Sequence, residues 1–395
     1  MNPDILNTRV QQFIEENIDL DISELILKGV SFKGVSTQEL AQQIESKRKC
    51  KSKLPTWFFA DNIYYPPKIH IEQTSSETAA DYKAQLLSGD SILDITGGLG
   101  VDCYYFSNTF KKVIHCEINE ELSKIATHNF KCLNRSGIKT ISENGLAFLG
   151  SSHQKFEWIY ADPSRRHDTK GKVFFLRDCL PNIPEHIDAI FENTKYLAVK
   201  TSPLLDITAG IEELKFVKAI HIISIYNEVK ELLWLLQKDD QDDIEINTIN
   251  ITKQNTEHFH FNNNEEHESK AEFSEPLTYL YEPNSAVLKA GAFKLISQKL
   301  GVFKLHQHSH LYTSNALLEF PGRRFQIDWI MDYNKKKFKK TRTPKANVTT
   351  RNFSESVQQI RKKLNIKEGG STYLFFTTNL NNQRIILKCS KIENE

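Results

Sequence analysis

Between about residues 75 and 235, short apolar runs alternate with stretches of helical periodicity, and this alternation restricts the fold more than any other feature of the chain. The apolar runs are predicted strands at residues 91–95, 112–118, 139–142, 156–162, 196–202 and 219–225. Strands that alternate with helices pair in parallel, and the helices cover both faces of the sheet. The pattern predicts an α/β fold with its ligand site at the carboxyl edge of the strands.

The regions on either side of this alternation have other patterns. Residues 1–60 predict an N-terminal helical region, because apolar residues recur there at helical spacing. Residues 238–272 are polar and acidic, and we interpret them as a flexible surface excursion in which INTINIT is at most one exposed or edge strand. Residues 321–395 predict a small, separate α+β module that follows a main domain at 61–320.

Composition excludes several classes of protein. The formal net charge of +1 gives no overall attraction to polyanions, so any surface for nucleic acid requires local segregation of charge. The six cysteines form no CxxC pair and no compact Cys/His cluster, which predicts no metal site and reduced thiols in a cytoplasmic protein. The N-terminus lacks the features of a signal or transit peptide, and no run of 18 apolar residues occurs, so we expect no membrane partner.

The segment DITGGLGVD, residues 94–102, follows the first predicted strand and precedes a helix. It is not a P-loop, because no Gly-Lys-Ser/Thr follows Gly100, and its glycines do not match the dinucleotide pattern GxGxxG. Asp94 and Asp102 would repel a phosphate, but they suit a ligand with a cationic amine and hydroxyl groups. S-adenosylmethionine has an ammonium, a sulfonium and a ribose, and no phosphate. The alternative is that the glycines form only a tight turn.

Two downstream positions support this ligand. Glu117 ends the second strand 23 residues after Asp94, where an acid can accept hydrogen bonds from ribose hydroxyls. Asn144 follows the third strand and is expected to face the adenine edge. Gln73, Ser75 and Ser76 either close over the methionine end of the cofactor or cap a helix, since Ser75 or Ser76 with Glu77 and Thr78 precedes a helical run. The residues predicted to bind the cofactor are Gln73, Ser75, Asp94, Thr96, Gly97, Gly98, Gly100, Asp102, Glu117, Ile118, Asn144, Gly145 and Asp162.

The segment YADPSRRHD, residues 160–168, ends the fourth predicted strand. Asp162 and a backbone carbonyl beside Pro163 could accept hydrogen bonds from a nucleobase amine and aim its nitrogen, which is catalysis by positioning. Arg165 and Arg166 could hold a substrate phosphate, or the pair could be an ordinary surface turn. The predicted catalytic residues are Asp162, Pro163, Ser164 and Arg165. Cysteine-dependent carbon methylation is disfavoured, because Cys179 fits a core position better, although its proximity to the site stays open.

Several strings then resemble a known family. ILDITGGLGVD, VIHCEIN, ENGLAFL and IYADPSRR resemble the ordered motifs of class I S-adenosylmethionine-dependent methyltransferases. KLPTW, EQTSSETAADYKA, TSPLLDI, NEVKELLW, EPNSAVLKAG, LYTSN and FPGRRF are similar to a bacterial group with a C-terminal THUMP-like domain. The resemblance implies a Rossmann-like methyltransferase domain and a THUMP-like terminal module related to RNA-binding domains. The sequence gives Asp162-Pro163-Ser164-Arg165 where amino-methyltransferases have Asn/Asp-Pro-Pro-aromatic, so the aromatic that would stack on the base is missing.

The C-terminal module is strongly basic, with twelve Lys or Arg against two Glu between Lys335 and Glu368. Such a cluster would neutralise RNA phosphates, and Tyr333 and Phe338 could stack on unpaired bases. The alternative is a solvated, partly disordered loop. The predicted RNA-binding residues are Arg165, Arg166, Lys335, Lys336, Lys337, Lys339, Lys340 and Arg342, of which the last six are called the basic cluster below.

These features predict an S-adenosylmethionine-dependent methyltransferase that modifies a base nitrogen in tRNA or rRNA, with RNA and not DNA as partner. One alternative is an RNA-binding protein that senses S-adenosylmethionine without catalysis. Another is a methyltransferase for small molecules or proteins, which the basic module disfavours.

Overall fold

The computed structural model describes residues 1–165 and 175–393, which form two compact units. The first unit comprises Met1–Lys218 and Lys230–Gln241, and the second comprises residues 219–229 and those from 242 onward. None of the helices in the described ranges has both the length and the apolar composition needed to cross a membrane.

The strands up to residue 237 confirm the predicted alternation. They are β1 (Gly89–Asp94), β2 (Phe110–Cys116), β3 (Lys139–Ile141), β4 (Phe156–Ala161), β5 (Ser164–Arg165), β6 (Cys179–Leu180), β7 (Thr194–Thr201), β8 (Val217–Ile225) and β9 (Glu228–Gln237). In the first unit the order is β3-β2-β1-β4-β7-β9, and all pairs are parallel except β7 with β9. Strand order reverses between β1 and β4, so the carboxyl ends of these two strands border the crevice where open α/β sheets bind ligands.

Helices surround this sheet, and the first of them form the predicted N-terminal region. They are α1 (Thr8–Glu16), α2 (Ile22–Lys28), α3 (Thr37–Lys53), α4 (Pro55–Phe59), α5 (Lys68–Gln73), α6 (Glu77–Leu86), α7 (Val101–Phe106), α8 (Glu120–Cys132), α9 (Gly145–Ser151), α10 (Ile183–Phe191) and α11 (Ile207–Glu213). Leu40 and Ile44 of α3 belong to the same core as Val101 of α7 and Ile125 of α8. The N-terminal helices therefore cover the outside of α7 and α8 and are part of the first unit.

The polar segment 238–272 is ordered, so its interpretation as a flexible excursion is wrong. In the second unit, β10 (Glu245–Ile251) pairs in parallel with β8 and antiparallel with β11 (Thr256–Asn262), and α12 (Asn263–Glu268) follows. Ile246 and Ile249 are buried. The strand INTINIT thus has partner strands on both sides. The polar residues that surround it in the sequence led to the prediction of a surface excursion.

The rest of the second unit is built on a seven-stranded sheet. Its strands are β12 (Tyr279–Pro283), β13 (Phe303–Lys304), β14 (Tyr312–Ser314), β15 (Gly322–Asp332), β16 (Lys345–Arg351), β17 (Lys367–Thr378) and β18 (Arg384–Ile392), in the order β13-β14-β12-β15-β18-β17-β16. The helices are α13 (Ser285–Ala290), α14 (Leu295–Leu300), α15 (Lys335–Lys339) and α16 (Val357–Leu364). Only β16 and β17 pair in parallel, with α16 as their crossover. The predicted α+β character is confirmed, and the sheet begins before residue 321.

Both faces of this sheet are covered. Phe375 of β17 packs with Phe325 on one face, while its neighbour Phe376 packs with Phe338 and Ile360 on the other. This follows from the alternation of side chains along a strand. Phe338 is 2% exposed, so the prediction that it stacks on bases is wrong. The lysines around it are exposed because α15 turns them outward from this one buried ring.

Candidate functional site

The loops after β1, β2 and β4 meet at one edge of the first unit's sheet. The amide of Gly97 donates to the carbonyl of Cys116 over 2.7 Å, and the amide of Asp162 donates to Thr96 Oγ1 over 2.7 Å. Because β1, β2 and β4 are parallel neighbours, their carboxyl ends lie at the same edge. Asp94, Glu117 and Asp162, which the sequence predicted as site residues, are therefore brought to one place.

The glycines of the β1–α7 loop serve different purposes. A Cβ atom on Gly97 would lie 2.3 Å from the ring of His115, and one on Gly100 would lie 2.3 Å from the ring of Phe130. Packing thus accounts for Gly97, and packing together with a φ of 84° accounts for Gly100. Gly98 has a φ of 55° and nothing closer than 3.8 Å to its Cβ position. Its backbone borders open space, as a ligand that approaches the loop requires.

Glu117 lies beside this opening. Its carboxylate accepts from the amide of Gly98 over 2.8 Å and from the amide of Asn119 over 2.7 Å, so two backbone contacts fix its orientation. The next side chain, Ile118, is 70% exposed. A fixed acceptor next to an exposed apolar side chain suits a ligand that has a hydroxylated sugar and a flat ring.

Asn144 caps a helix in addition to any contact with a ligand. Its Oδ1 accepts from the amides of Leu146 over 3.0 Å and Ala147 over 3.2 Å, at the start of α9. A Cβ on Gly145 would lie 2.3 Å from the carbonyl oxygen of Ile95, so α9 begins directly against the β1 loop. Asn144 is exposed at this edge, and its Nδ2 can donate to an acceptor on a ligand.

Asp94 is 2% exposed, and its carboxylate is held from within the loop. Oδ1 accepts from the amide of Thr96 over 2.8 Å, and the thiol of Cys103 lies 3.4 Å from Oδ2. Burial raises the pKa of Asp94 to about 7, and the negative charge of Asp102 acts in the same direction. Asp94 is therefore close to half ionised at neutral pH, and a cation beside it would favour the ionised form.

Below the loop lies a buried ionic network that the sequence did not predict. Lys83 of α6 is fully buried, and its Nζ lies 2.9 Å from Asp102 and 2.8 Å from Glu231 of β9. Lys83 also donates to Ser75 over 2.7 Å, and both Ser75 and Tyr160 donate to Asp102 over 3.0 Å. Asp102 is thus neutralised from below, and the network ties α6, α7, β4 and β9 together.

The charged groups of this network stabilise one another's ionised forms. Burial opposes the charge on Lys83, but attraction by Asp102 and Glu231 outweighs it and leaves the pKa of Lys83 above its ordinary value. Burial also opposes ionisation of Asp102, but Lys83 and Lys200 hold its pKa below the usual range. Of the three residues considered for closure over the cofactor or for capping, Ser75 joins this network, Gln73 ends α5, and Ser76 caps α6.

Asp162 forms an ion pair with a second lysine. Nζ of Lys200, near the end of β7, contacts Oδ2 of Asp162. Burial disfavours the charge of Lys200, but Asp162, Glu231 and Asp102 raise its pKa above the ordinary value. The sequence analysis did not predict Lys200, although a lysine within the apolar run LAVKT could have indicated a buried ion pair. Lys200 fixes the carboxylate that was predicted to orient the acceptor.

The chain beyond Pro163 forms a short ribbon. Ser164 of β5 pairs with Leu180, and Arg165 pairs with Cys179 of β6. Cys179 is buried, which favours the core role considered for it, and the ribbon also brings its backbone beside the predicted catalytic segment. The predicted site residue Arg166 lies outside the described residues.

The comparisons with known proteins agree with this architecture. A family model described as a ferredoxin-like domain matches residues 279–321, and one described as THUMP domain-like matches residues 322–391. The crystal structure of a candidate methyltransferase from Porphyromonas gingivalis W83 has a TM-score of 0.88 and 28% identity, and the match covers 99% of this chain and 98% of that one. No curated protein matches the sequence.

Other solved structures match over about two fifths of the chain. An rRNA methylase from Streptococcus thermophilus has a TM-score of 0.30 and 16% identity, over 41% of this chain and 94% of that one. TrmN from Thermus thermophilus has a TM-score of 0.31 and 14% identity, over 41% of this chain and 48% of that one. The whole-length likeness to the Porphyromonas gingivalis protein, together with the strand order and the THUMP-like match, gives the assignment. The chain has the fold of a class I methyltransferase and carries a C-terminal THUMP-like domain.

Proposed function

We propose that this protein transfers a methyl group from S-adenosylmethionine to a base nitrogen of tRNA or rRNA. The observation that carries the proposal is the juxtaposition of Asp162, at the end of β4, with the open backbone of Gly98 and the fixed carboxylate of Glu117. An acceptor group and a cofactor cradle thereby share one edge of the sheet, at the point where strand order reverses.

The residues present suit S-adenosylmethionine. Glu117 would accept from the ribose hydroxyls, Ile118 would pack against the adenine, and the amide nitrogen of Asn144 would donate to its edge. The methionine end would lie along Gly98 near Asp94, whose carboxylate complements an ammonium. When bound, this cofactor supplies an electrophilic methyl group on a sulfonium.

The pKa of Asp94 predicts how cofactor affinity depends on pH. Binding of an ammonium near Asp94 requires the ionised carboxylate, so at a pKa of about 7 the affinity should rise about fivefold between pH 6 and pH 7, below the range in which the ligand's own amine loses its proton. Isothermal titration of S-adenosylmethionine across this range measures the effect. Asp94→Asn should bind more weakly and show a flatter pH profile, and an unchanged profile in that variant would assign the titration to another group.

Asp162 would act on the acceptor. Its Oδ2 is paired with Lys200, so Oδ1 is the oxygen that can accept an N–H of a nucleobase. This hydrogen bond concentrates the nitrogen lone pair and aims it. The bound cofactor would supply the methyl group from its sulfonium and keep the electron pair of the broken bond, and the carboxylate of Asp162 would accept the surplus proton of the methylated nitrogen and pass it to water. Lys200 is a positioning residue in this scheme.

RNA is proposed as substrate because the THUMP-like domain carries the exposed basic cluster on α15 and the turn after it. Alanine at all six positions of the cluster should weaken RNA binding and reduce the slope of log affinity against log salt by up to about 4, since single-stranded RNA gives about 0.7 per phosphate neutralised. Filter binding at several salt concentrations measures both quantities.

A matched control for this variant replaces exposed lysines of the first unit with alanine. Suitable positions are Lys111, Lys112, Lys124, Lys131 and Lys139. The control should retain the wild-type slope. Equal affinity of wild type and the cluster variant at low salt would show that the cluster does not contact RNA.

The decisive experiment uses S-adenosylmethionine labelled in the methyl group and total RNA from cells that lack the protein. Label that becomes acid-insoluble and is released by ribonuclease establishes RNA as acceptor. Mass spectrometry of the nucleosides then identifies the modified atom. Label in protein or small molecules, or cofactor binding without transfer, would contradict the proposal.

A further inference from the structure

The second unit contains a polar cavity of about 270 Å³ that is separate from the edge of β1 and β4. Its walls come from the turn between β8 and β9, the end of β10, the start of β11, the start of α13, and the facing ends of β15 and β18. Most of the side chains that line it are carboxamides, hydroxyls or cations. The cavity therefore offers many hydrogen-bonding groups in a small concave space.

One wall carries an exposed aromatic ring in an unusual backbone conformation. Tyr226 is 61% exposed and has a φ of 51°, and Asn227 has a φ of 63°. This left-handed conformation is rare for a bulky residue, and the two-residue hairpin turn between β8 and β9 accounts for it, because such turns have positive φ at both central residues. Two hydrogen bonds tie this turn to the end of β10: the amide of Tyr226 donates to the carbonyl of Ile251 over 2.9 Å, and the amide of Asn227 donates to Asn250 Oδ1 over 2.9 Å. The structure thus holds a ring at the rim of the cavity.

The floor consists of buried amides in fixed orientations. Asn250 and Asn284 are almost fully buried, and both donate to Oε2 of Glu257, over 2.9 Å and 2.8 Å. Gln254 and Asn255 add exposed amide groups at the margin. Amide side chains supply donors and acceptors side by side, which is the pattern that the edge of a nucleobase presents.

The opposite wall is cationic. Arg323, Arg324 and Lys391 line it. Arg323 is paired with the buried carboxylate of Glu282 over 2.7 Å from Nε, and Arg324 is buried and paired with Glu319 over 2.9 Å. Gly322 begins this wall with a φ of 153°, and a Cβ there would lie 2.2 Å from the carbonyl oxygen of Glu282. The close packing of Gly322 against the backbone of Glu282 thus fixes the backbone position from which the two arginines extend. The exposed Lys391 and the half-buried side chain of Arg323 are suited to a phosphate.

We propose that this cavity binds one unpaired nucleotide of the RNA substrate. The base stacks on Tyr226, the amides of Asn250, Gln254 and Asn255 contact its edge, and the cationic wall holds its phosphate. A single strand is required because a base within a duplex cannot offer both its face and its edge to the protein. The inference rests on the proposed function, to which it adds a second contact with RNA, independent of the basic cluster.

The test compares two substitutions of Tyr226 in the full-length protein. Tyr226→Asn removes the ring but suits the left-handed backbone, because asparagine adopts this conformation readily. Tyr226→Phe keeps the ring and is the matched control. Fluorescence anisotropy with end-labelled hexaribonucleotides of A, C, G and U measures affinity. Since one base–aromatic stack is worth about 1–3 kcal/mol, Tyr226→Asn should weaken binding of at least one hexamer by about fivefold or more, while Tyr226→Phe should match wild type.

Competition identifies the source of the nucleotide. Free nucleoside 5′-monophosphates should compete far less well than the hexamer, and equal competition would assign the cavity to a free nucleotide and overturn the inference. Equal affinity of Tyr226→Asn and wild type for every hexamer would also overturn it, even where wild type methylates RNA. Absence of RNA methylation by wild type, in contrast, would overturn the proposed function.

Discussion

The substitution Asp162→Asn is expected to lower the rate of methyl transfer by about 100-fold or more. Effects of this size are seen when one preorganised group is removed from a reaction centre. The substitution keeps the size of the side chain and its hydrogen bond with Lys200, but it removes the charge that accepts the proton from the acceptor nitrogen. S-adenosylmethionine affinity should stay close to the wild-type value. Single-turnover transfer of labelled methyl, with calorimetry of cofactor binding, measures the two effects separately.

A second aspartate–lysine pair in the same unit provides the control. Asp188 and Lys215 lie 2.7 Å apart on the surface, with Asp188 well exposed. Asp188→Asn should leave transfer unchanged, because exposed pairs contribute little and this one is not at the sheet edge. Turnover by Asp162→Asn at the rate of Asp188→Asn would refute the role assigned to Asp162.

The substitution Lys83→Met is expected to lower the free energy of unfolding by about 3–5 kcal/mol, because it leaves the buried carboxylates of Asp102 and Glu231 without their cation. Methionine matches the length of the lysine stem, so the lost charge and not a cavity dominates the effect. Urea denaturation followed by circular dichroism measures the change.

Two further variants separate charge from packing. Lys215→Met removes a lysine from a surface pair and should change stability by less than about 0.5 kcal/mol. Adding Asp102→Asn and Glu231→Gln to Lys83→Met should restore part of the loss, since no buried charge is then unpaired. A Lys83→Met protein as stable as Lys215→Met would mean that the network does not stabilise the fold.

The order of strands and helices could be predicted because the spacing of apolar residues within a short segment shows which of its side chains are buried. Runs such as SILDI and FEWIYAD became β1 and β4 with boundaries close to those expected. The predictions were wrong where the polarity of a segment does not match the burial of its residues. β10 has polar residues around it but lies between two strands, and Phe338 is the one buried side chain in a run of exposed lysines.

The site could be predicted only in part, for a related reason. Asp94, Glu117 and Asp162 follow strand ends, so sequence position alone placed them at one edge. Lys83 and Glu231 are 148 positions apart, and their contact follows from the pairing of β9 with β7, which no local pattern reveals. Buried lysines in apolar stretches are the signal that could have indicated such partners, since an unpaired buried charge is costly.

The border between the two family matches runs through a continuous sheet. β12 lies in the ferredoxin-like match and pairs along its length with β15, which begins the THUMP-like match. Glu282 of β12 also binds Arg323 and Arg351, one from each side of the THUMP-like sheet region. The border between the family models is therefore not a structural boundary: a fragment that begins at residue 322 would expose the edge of β15 that pairs with β12, and would leave Arg323 and Arg351 without the carboxylate of Glu282.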